Sequence, residues 1–258
     1  MPETTVKRLH HRVLAIETGS PRGSVAAAHA GREVHRPLGD DGQHGRLVTA
    51  ALDEVAAAAG FRADTADLVV VVRGPGSFTG LRVGVALGKT LAWATGATLV
   101  GVSGFDLIAR RVQAAPSGAA WPGSSGAIGP GSSGAIWPGS SGAIWIAFDA
   151  GRGELAVCRI HQGPSGRLAA VAATLWEPAA LLSAIPGGDQ LAGPGVARIA
   201  GLLAARPDIH VHPDPTWPTA AEGLRLGVER ATAGHADDAA GLLPEYLRPS
   251  YVDEPRRQ

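Results

Sequence analysis

One cysteine, one methionine and only 5% aromatic side chains in 258 residues leave this chain few of the usual reactive or stapling groups. Cys158 has no partner for an internal disulfide, and no His or Cys cluster has the spacing of a zinc site. That usage fits a reducing compartment, and a cytoplasmic location is the expectation. Net charge is missing as well: 23 Lys and Arg balance 23 Asp and Glu. This excludes a broad basic surface that would hold nucleic acid by phosphate neutralisation alone. Long apolar runs are also missing. The stretch after the polar Met1–Arg12 ends at Glu17, too short for a signal-peptide core. The longest uncharged stretch, Val112–Phe148, is broken by Gly, Ser and Pro, whereas a spanning helix needs about 20 mostly apolar residues. No membrane segment is expected.

What is present is enough for a folded interior. With 45% hydrophobic residues, a chain of this size buries about 70 to 75% of the surface its unfolded form exposes. The most conspicuous feature is a tandem octad, Trp121–Ile128, Gly129–Ile136 and Trp137–Ile144, each unit reading X-P-G-S-S-G-A-I. Its period matches no solenoid, and its Pro-Gly and Ser-Gly pairs are turn signals. It reads either as a surface loop without a chemical role or as a small partner patch built on Trp121 and Trp137. The expected organisation is a lobe over 1–112, the low-complexity insert over 113–144 and a second lobe over 145–258.

The first lobe reads as three antiparallel strands, Val13–Ile16, Ser24–His29 and Glu33–Pro37, with Gly-bearing turns between them. From His44 to Ala59 the residues Leu47, Val48, Ala51, Leu52, Val55 and Ala58 recur at helical spacing, and Gly60 supplies a stop. Leu68–Val72 is a bare β-branched run, the mark of a strand covered on both faces. A second helix, a strand over Thr98–Val102 and a helix from Gly104 complete βββαβαβα. After the insert the same grammar returns. Trp145–Phe148 runs into Asp149 and a Gly-bearing turn, then into a strand over Leu155–His161, as Ile16 runs into Glu17. This looks like a diverged duplication, and two lobes that each offer an acidic strand end and a glycine hairpin describe the actin-like cleft, against two unrelated α/β domains.

The segment Arg73–Gly84, RGPGSFTGLRVG, joins a strand to a helix. Pro75 fixes its own φ, Gly76 suits a tight turn, and Ser77 or Thr79 can cap the helix. A strand, a Gly-rich turn and a helix N-terminus make an anion site in principle. The order G-x-x-x-x-G-K-[ST] is absent, so it is no P-loop, and a purely structural turn is the other reading. Beyond the turn, Gly80, Gly84, Gly88 and Ala92 fall four apart on one face. Each interior Gly costs a helix about 1 kcal/mol relative to Ala, so the stripe implies close approach by another backbone. It could serve the first helix of the same chain, a partner, or both.

Several segments together resemble the TsaB (YeaZ) family: Leu14-A-I-E-Thr18, Gly74-P-G-S-F-T-G-L-R-V-Gly84, Gly101-V-Ser103, Asp149-A-G-R-G-Glu154 and Pro244-E-Y-L-Arg248. The resemblance spans the chain outside the octads, and the G-P-G-S-F-T-G stretch is its most specific part. It implies an actin-like ATPase (ASKHA, ribonuclease H-like) α/β fold with two similar lobes. It further implies a non-catalytic role in making threonylcarbamoyladenosine at position 37 of tRNAs that read codons starting with A. In that family the protein pairs with its catalytic paralogue TsaD through its first two helices, and the pair recruits the ATPase TsaE. A homodimer of the isolated chain and tRNA contact only through the complex go with this reading.

The paralogue carries an H-x-x-x-H metal pair where this chain has Gly104 and Ile108, so no catalytic residue and no metal site are expected here. The expected partner interface is Leu47, Ala51 and Leu52 with Gly80, Gly84, Gly88 and Ala92. The expected phosphate or nucleotide cleft is Glu17, Thr18, Gly74, Gly76, Ser77 and Asp149, with weakly held ATP or ADP and magnesium as its occupant. The family usually has Asp where this strand ends in Glu17, and Ala156 replaces a tyrosine. The rival reading is a nucleotide-dependent transferase, hydrolase or kinase of the same fold, working with Glu17 and Asp149 around Mg-ATP.

Overall fold

A computed structural model describes residues 11–39, 44–114, 142–162, 168–212 and 217–246. The octads fall almost wholly outside the described residues, so the insert reading is not addressed by the fold. The described residues form two compact units, one of residues up to Leu107 together with Pro218–Tyr246, the other of Ile108–Trp217. The expected boundary is therefore corrected: the segment after Trp217 returns to the first unit instead of staying with the second.

The first unit is built on a five-stranded sheet of order β3-β2-β1-β4-β5. Strands β1 (Arg12–Glu17), β2 (Ser24–His29) and β3 (Arg32–Pro37) form an antiparallel meander. β4 (Leu68–Val72) and β5 (Thr98–Val102) add to β1 in parallel. The parallel pairs need crossovers, supplied by α1 (His44–Ala59) and α2 (Phe78–Thr95), and α3 (Gly104–Ala114) follows β5.

Alternation of side chains divides the sheet into two cores. Leu14, Ile16, Val25 and Ala27 face α1, whose Val48, Ala51, Leu52 and Val55 lie in the same cluster. Val13, Ala15, Leu68, Val70 and Val72 face the other way and meet Ala220, Leu224 and Leu226 of the helix α6 (Ala220–Thr232). β4 is apolar throughout because both its faces are covered. A full capping box starts α6, with Thr219 accepting from the Glu222 amide and Glu222 reaching back to the Thr219 amide.

The second unit repeats the opening move. β6 (Ala143–Asp149) and β7 (Leu155–Gln162) form a hairpin, and β10 (Gln190–Ala192) joins β6 in parallel on its other side, as β4 joins β1. The sheet runs β11-β10-β6-β7-β8, with β8 (Leu168–Ala170) and β11 (His210–Val211) at its ends, and β9 (Thr174–Trp176) pairs with β7. Two short helices, α4 (Pro178–Ala184) and α5 (Ala200–Leu203), belong to this unit. Its core gathers Trp145, Leu155, Leu181, Ile185 and Leu191. Asp189 is fully buried there, and its carboxyl group accepts from the Trp145 indole at 2.9 Å, which gives a buried polar group a partner.

Candidate functional site

The carboxylate that ends β1 folds back onto its own turn. Glu17 is 3% exposed, and its Oε1 accepts from the amides of Gly19 at 2.6 Å and Ser20 at 2.8 Å. Its Oε2 accepts from the Ser20 hydroxyl at 2.5 Å, and that hydroxyl oxygen accepts from the Gly23 amide at 3.0 Å. The side chain thus closes a ring of hydrogen bonds around the β1–β2 turn.

That turn is the seat of α2. Ser77 donates its amide to the Gly19 carbonyl at 2.8 Å, and its hydroxyl caps the Gly80 amide at 3.4 Å. The Thr18 hydroxyl donates to the Gly80 carbonyl at 2.7 Å. Gly76 lies so close to Gly19 that a Cβ there would sit 2.6 Å from the Gly19 carbonyl oxygen. Gly74 is pressed in the same way against Glu245, and Glu245 donates its amide to the Arg73 carbonyl at 2.7 Å. Of the expected cleft residues, Glu17, Thr18, Gly76 and Ser77 therefore come together, but around each other.

The glycine stripe is corrected by the same geometry. A Cβ at Gly80 would collide with the Thr18 carbonyl oxygen, one at Gly84 with Thr18 Oγ1, and one at Gly88 with a Val71 methyl. Ala92 is buried in a cluster with Val69, Val71 and Leu99. These residues let α2 lie directly on β1 and β4, so the bare stripe is the helix's inner face and is already filled by the chain itself. On α1, Ala51 and Leu52 are core residues, 1% and 2% exposed, and leave the expected interface. Leu47, 38% exposed, keeps its place on the surface.

The surface that α2 offers is its opposite side. Phe78 is 47% exposed and Trp93 83%, with exposed Arg82, Ala86 and Thr90 between them at spacings of three and four. The Arg82 guanidinium lies over the Phe78 ring, 4.7 Å from its centroid, and Tyr246 packs on Phe78 at 4.9 Å between centroids. Tyr246 ends a strap after α6 that crosses to α2: Lys89 Nζ donates to the Ala240 and Leu242 carbonyls at 3.2 Å. Ser103 donates to the half-buried Glu245 carboxylate at 2.8 Å. Sequence reasoning missed this aromatic and cationic ridge. Its signal was present in the i, i+4 pair Phe78 and Arg82, but the glycines on the other side of the helix drew the inference.

Asp149 lies in the second unit at the end of β6. Its carboxylate accepts from the Gly151 amide at 2.8 Å and pairs with Arg198 at 3.0 Å. At the positions of the paralogue's metal pair, Gly104 donates its amide to the Gly74 carbonyl at 2.6 Å and Ile108 is buried. Among the described residues no group of three or more His, Cys, Asp or Glu is placed to hold a metal, and no helix is long and apolar enough to cross a membrane.

Two sheets that each pair a hairpin with parallel strands, and an acidic residue at the end of each leading strand, define a two-lobed α/β protein of the actin-like fold. By sequence the chain is similar to TsaB proteins over part of its length, and its fold is that of the YeaZ structures. Residues 37–128 match the family model described as TsaD, tRNA N6-adenosine threonylcarbamoyltransferase. The chain is 30% identical over 98 residues to the tRNA threonylcarbamoyladenosine biosynthesis protein TsaB of Haemophilus influenzae, covering 38% of this chain and 42% of that one. It is 49% identical over 41 residues to the protein of the same name from Bacillus subtilis, covering 16% of this chain and 18% of that one. The aligned stretches thus span less than half of either relative. YeaZ of Pseudomonas aeruginosa superposes with a TM-score of 0.67 at 21% identity, covering 92% of this chain and all of that one. A P. aeruginosa structure described as similar to peptidase YeaZ gives 0.68 at 22%, covering the same 92% of this chain.

Proposed function

We propose that this chain is the non-catalytic scaffold subunit of a tRNA N6-adenosine threonylcarbamoyltransferase complex. It serves threonylcarbamoyladenosine formation at position 37 of tRNAs that read A-starting codons. The observation that carries the reading is the similarity to TsaB proteins, and the TsaD family model matches residues 37–128, which contain α2 and its loop. Gly104 has no side chain and Ile108 a hydrocarbon one, so neither can ligate a metal, which supports the division of labour. The partner is the paralogue TsaD, with the ATPase TsaE joining the pair and tRNA meeting the chain only within that assembly. A balanced net charge is consistent with such indirect contact.

The docking face is the outer side of α2 with the exposed start of α1: Trp93, Arg82 and Phe78, together with Leu47. Trp and Arg are the side chains that most often carry interface energy, and loss of a central one typically removes 2 kcal/mol or more. Two copies of this face could pair when the partner is missing. The test is co-purification of the chain with its own TsaD and titration of the pair. The wild-type chain binds, and the double variant Arg82→Glu, Trp93→Ala binds at least about thirtyfold more weakly with an unchanged melting temperature. Unaltered binding of the double variant sinks the assignment of the face. Threonylcarbamoyl transfer or ATP turnover by the isolated chain sinks the scaffold reading.

A further inference from the structure

In an actin-like fold the glycine hairpin that follows the first strand is where backbone amides meet the phosphates of a nucleotide. Here the amides of Gly19 and Ser20 both point at one oxygen of Glu17, at 2.6 and 2.8 Å, and the Ser20 hydroxyl points at the other. The donors that would grip a phosphate are engaged by the chain's own anion, and the carboxylate oxygens that would face a magnesium ion are ringed by N–H and O–H donors. Glu17 is 3% exposed, so an incoming phosphate would meet a fixed negative charge of the same sign and would have to expel it. The residues present do not fit a bound nucleotide at this turn.

The ring has a mechanical consequence. The Gly19 carbonyl receives the Ser77 amide, and the Thr18 carbonyl lies against Gly80, so the shape of the turn sets where α2 begins. We infer that Glu17 is a built-in substitute for phosphate that holds the β1–β2 turn closed and thereby positions α2 without any nucleotide. The inference deepens the proposed scaffold role, since α2 carries the docking face, but it is tested without a partner.

The experiment is amide hydrogen exchange and amide chemical shift on the full chain, read at Gly19, Ser20 and Ser77. Wild-type signals at these residues stay in place when inorganic phosphate or Mg-ATP is added at millimolar concentration. In Glu17→Ala the same amides exchange about tenfold faster or more, and inorganic phosphate slows them again by occupying the vacated position. Glu17→Gln keeps an acceptor oxygen, exchanges at rates between the two, and does not respond to phosphate. If Glu17→Ala does not fold, the wild-type and Glu17→Gln titrations still decide the matter. Movement of the wild-type Gly19 and Ser20 signals on adding phosphate or Mg-ATP overturns the inference, as does a folded Glu17→Ala with unchanged exchange. A wild-type chain that shows these signals but does not bind TsaD would instead count against the proposed function alone.

Discussion

Glu245 shows how much one residue can be asked to do in a strap. Its amide bonds the Arg73 carbonyl, its main chain presses on Gly74, and its carboxylate takes the Ser103 hydroxyl. Burial raises this carboxyl above the ordinary glutamate range, while the Ser103 hydrogen bond and the Arg73 charge pull it back and Asp106 raises it further. A folded-state value above the unfolded one means that the native chain binds this proton more tightly. The stabilising contribution is complete below the ordinary glutamate range and is lost as pH climbs through the raised value. Glu245→Gln removes the half-buried charge but keeps an acceptor for Ser103. Its melting temperature at pH 7 should equal or exceed that of wild type, and its decline between about pH 4 and pH 7 should be shallower. A lower melting temperature at neutral pH with an unchanged slope would refute the argument.

α2 is the element on which the sequence was most persuasive and most misleading. Four small residues at intervals of four predicted a close backbone contact correctly, because nothing else repays about 1 kcal/mol per interior glycine. They did not say whose backbone. The three-dimensional answer is the chain's own Thr18 and Val71, and the exposed side of the helix lies half a turn away, at Phe78, Arg82 and Trp93. Substitutions read this directly. Gly88→Ala forces a methyl into Val71 and should destabilise the protein by about 1 to 3 kcal/mol despite the better helix propensity. Gly45→Ala on α1, whose Cβ would meet Val83 at an ordinary 3.8 Å, should be neutral or slightly stabilising. Chemical denaturation of the two variants decides it: equal midpoints would mean that α2 does not sit on β4 as described. Gly84→Leu, whose Cβ would meet Thr18 Oγ1, should destabilise the fold for the same reason.

At the scale of the whole molecule, the chain visits its first unit twice. α6 covers the face of the sheet formed by Val13, Ala15, Leu68, Val70 and Val72, and it comes as close to β4 as α2 does, with Gly227 against Val70. The strap that follows places Asp237 on the Gly101 amide and Lys89 on the Ala240 carbonyl. A chain ending at Trp217 therefore leaves one face of a five-stranded sheet bare, and each uncovered Val or Leu forfeits roughly 1.5 to 3 kcal/mol. Such a truncation should be insoluble or molten. A truncated chain with native amide dispersion would contradict this packing. The strands, the order βββαβαβα and the repeated hairpin opening were legible in the amino acids themselves, because alternation, helical spacing and turn residues are local properties of the chain. The role of Glu17, the owner of the glycine stripe and the return of α6 were decided only by the tertiary structure, since each depends on which distant backbone comes to lie against a residue, and no local pattern encodes that.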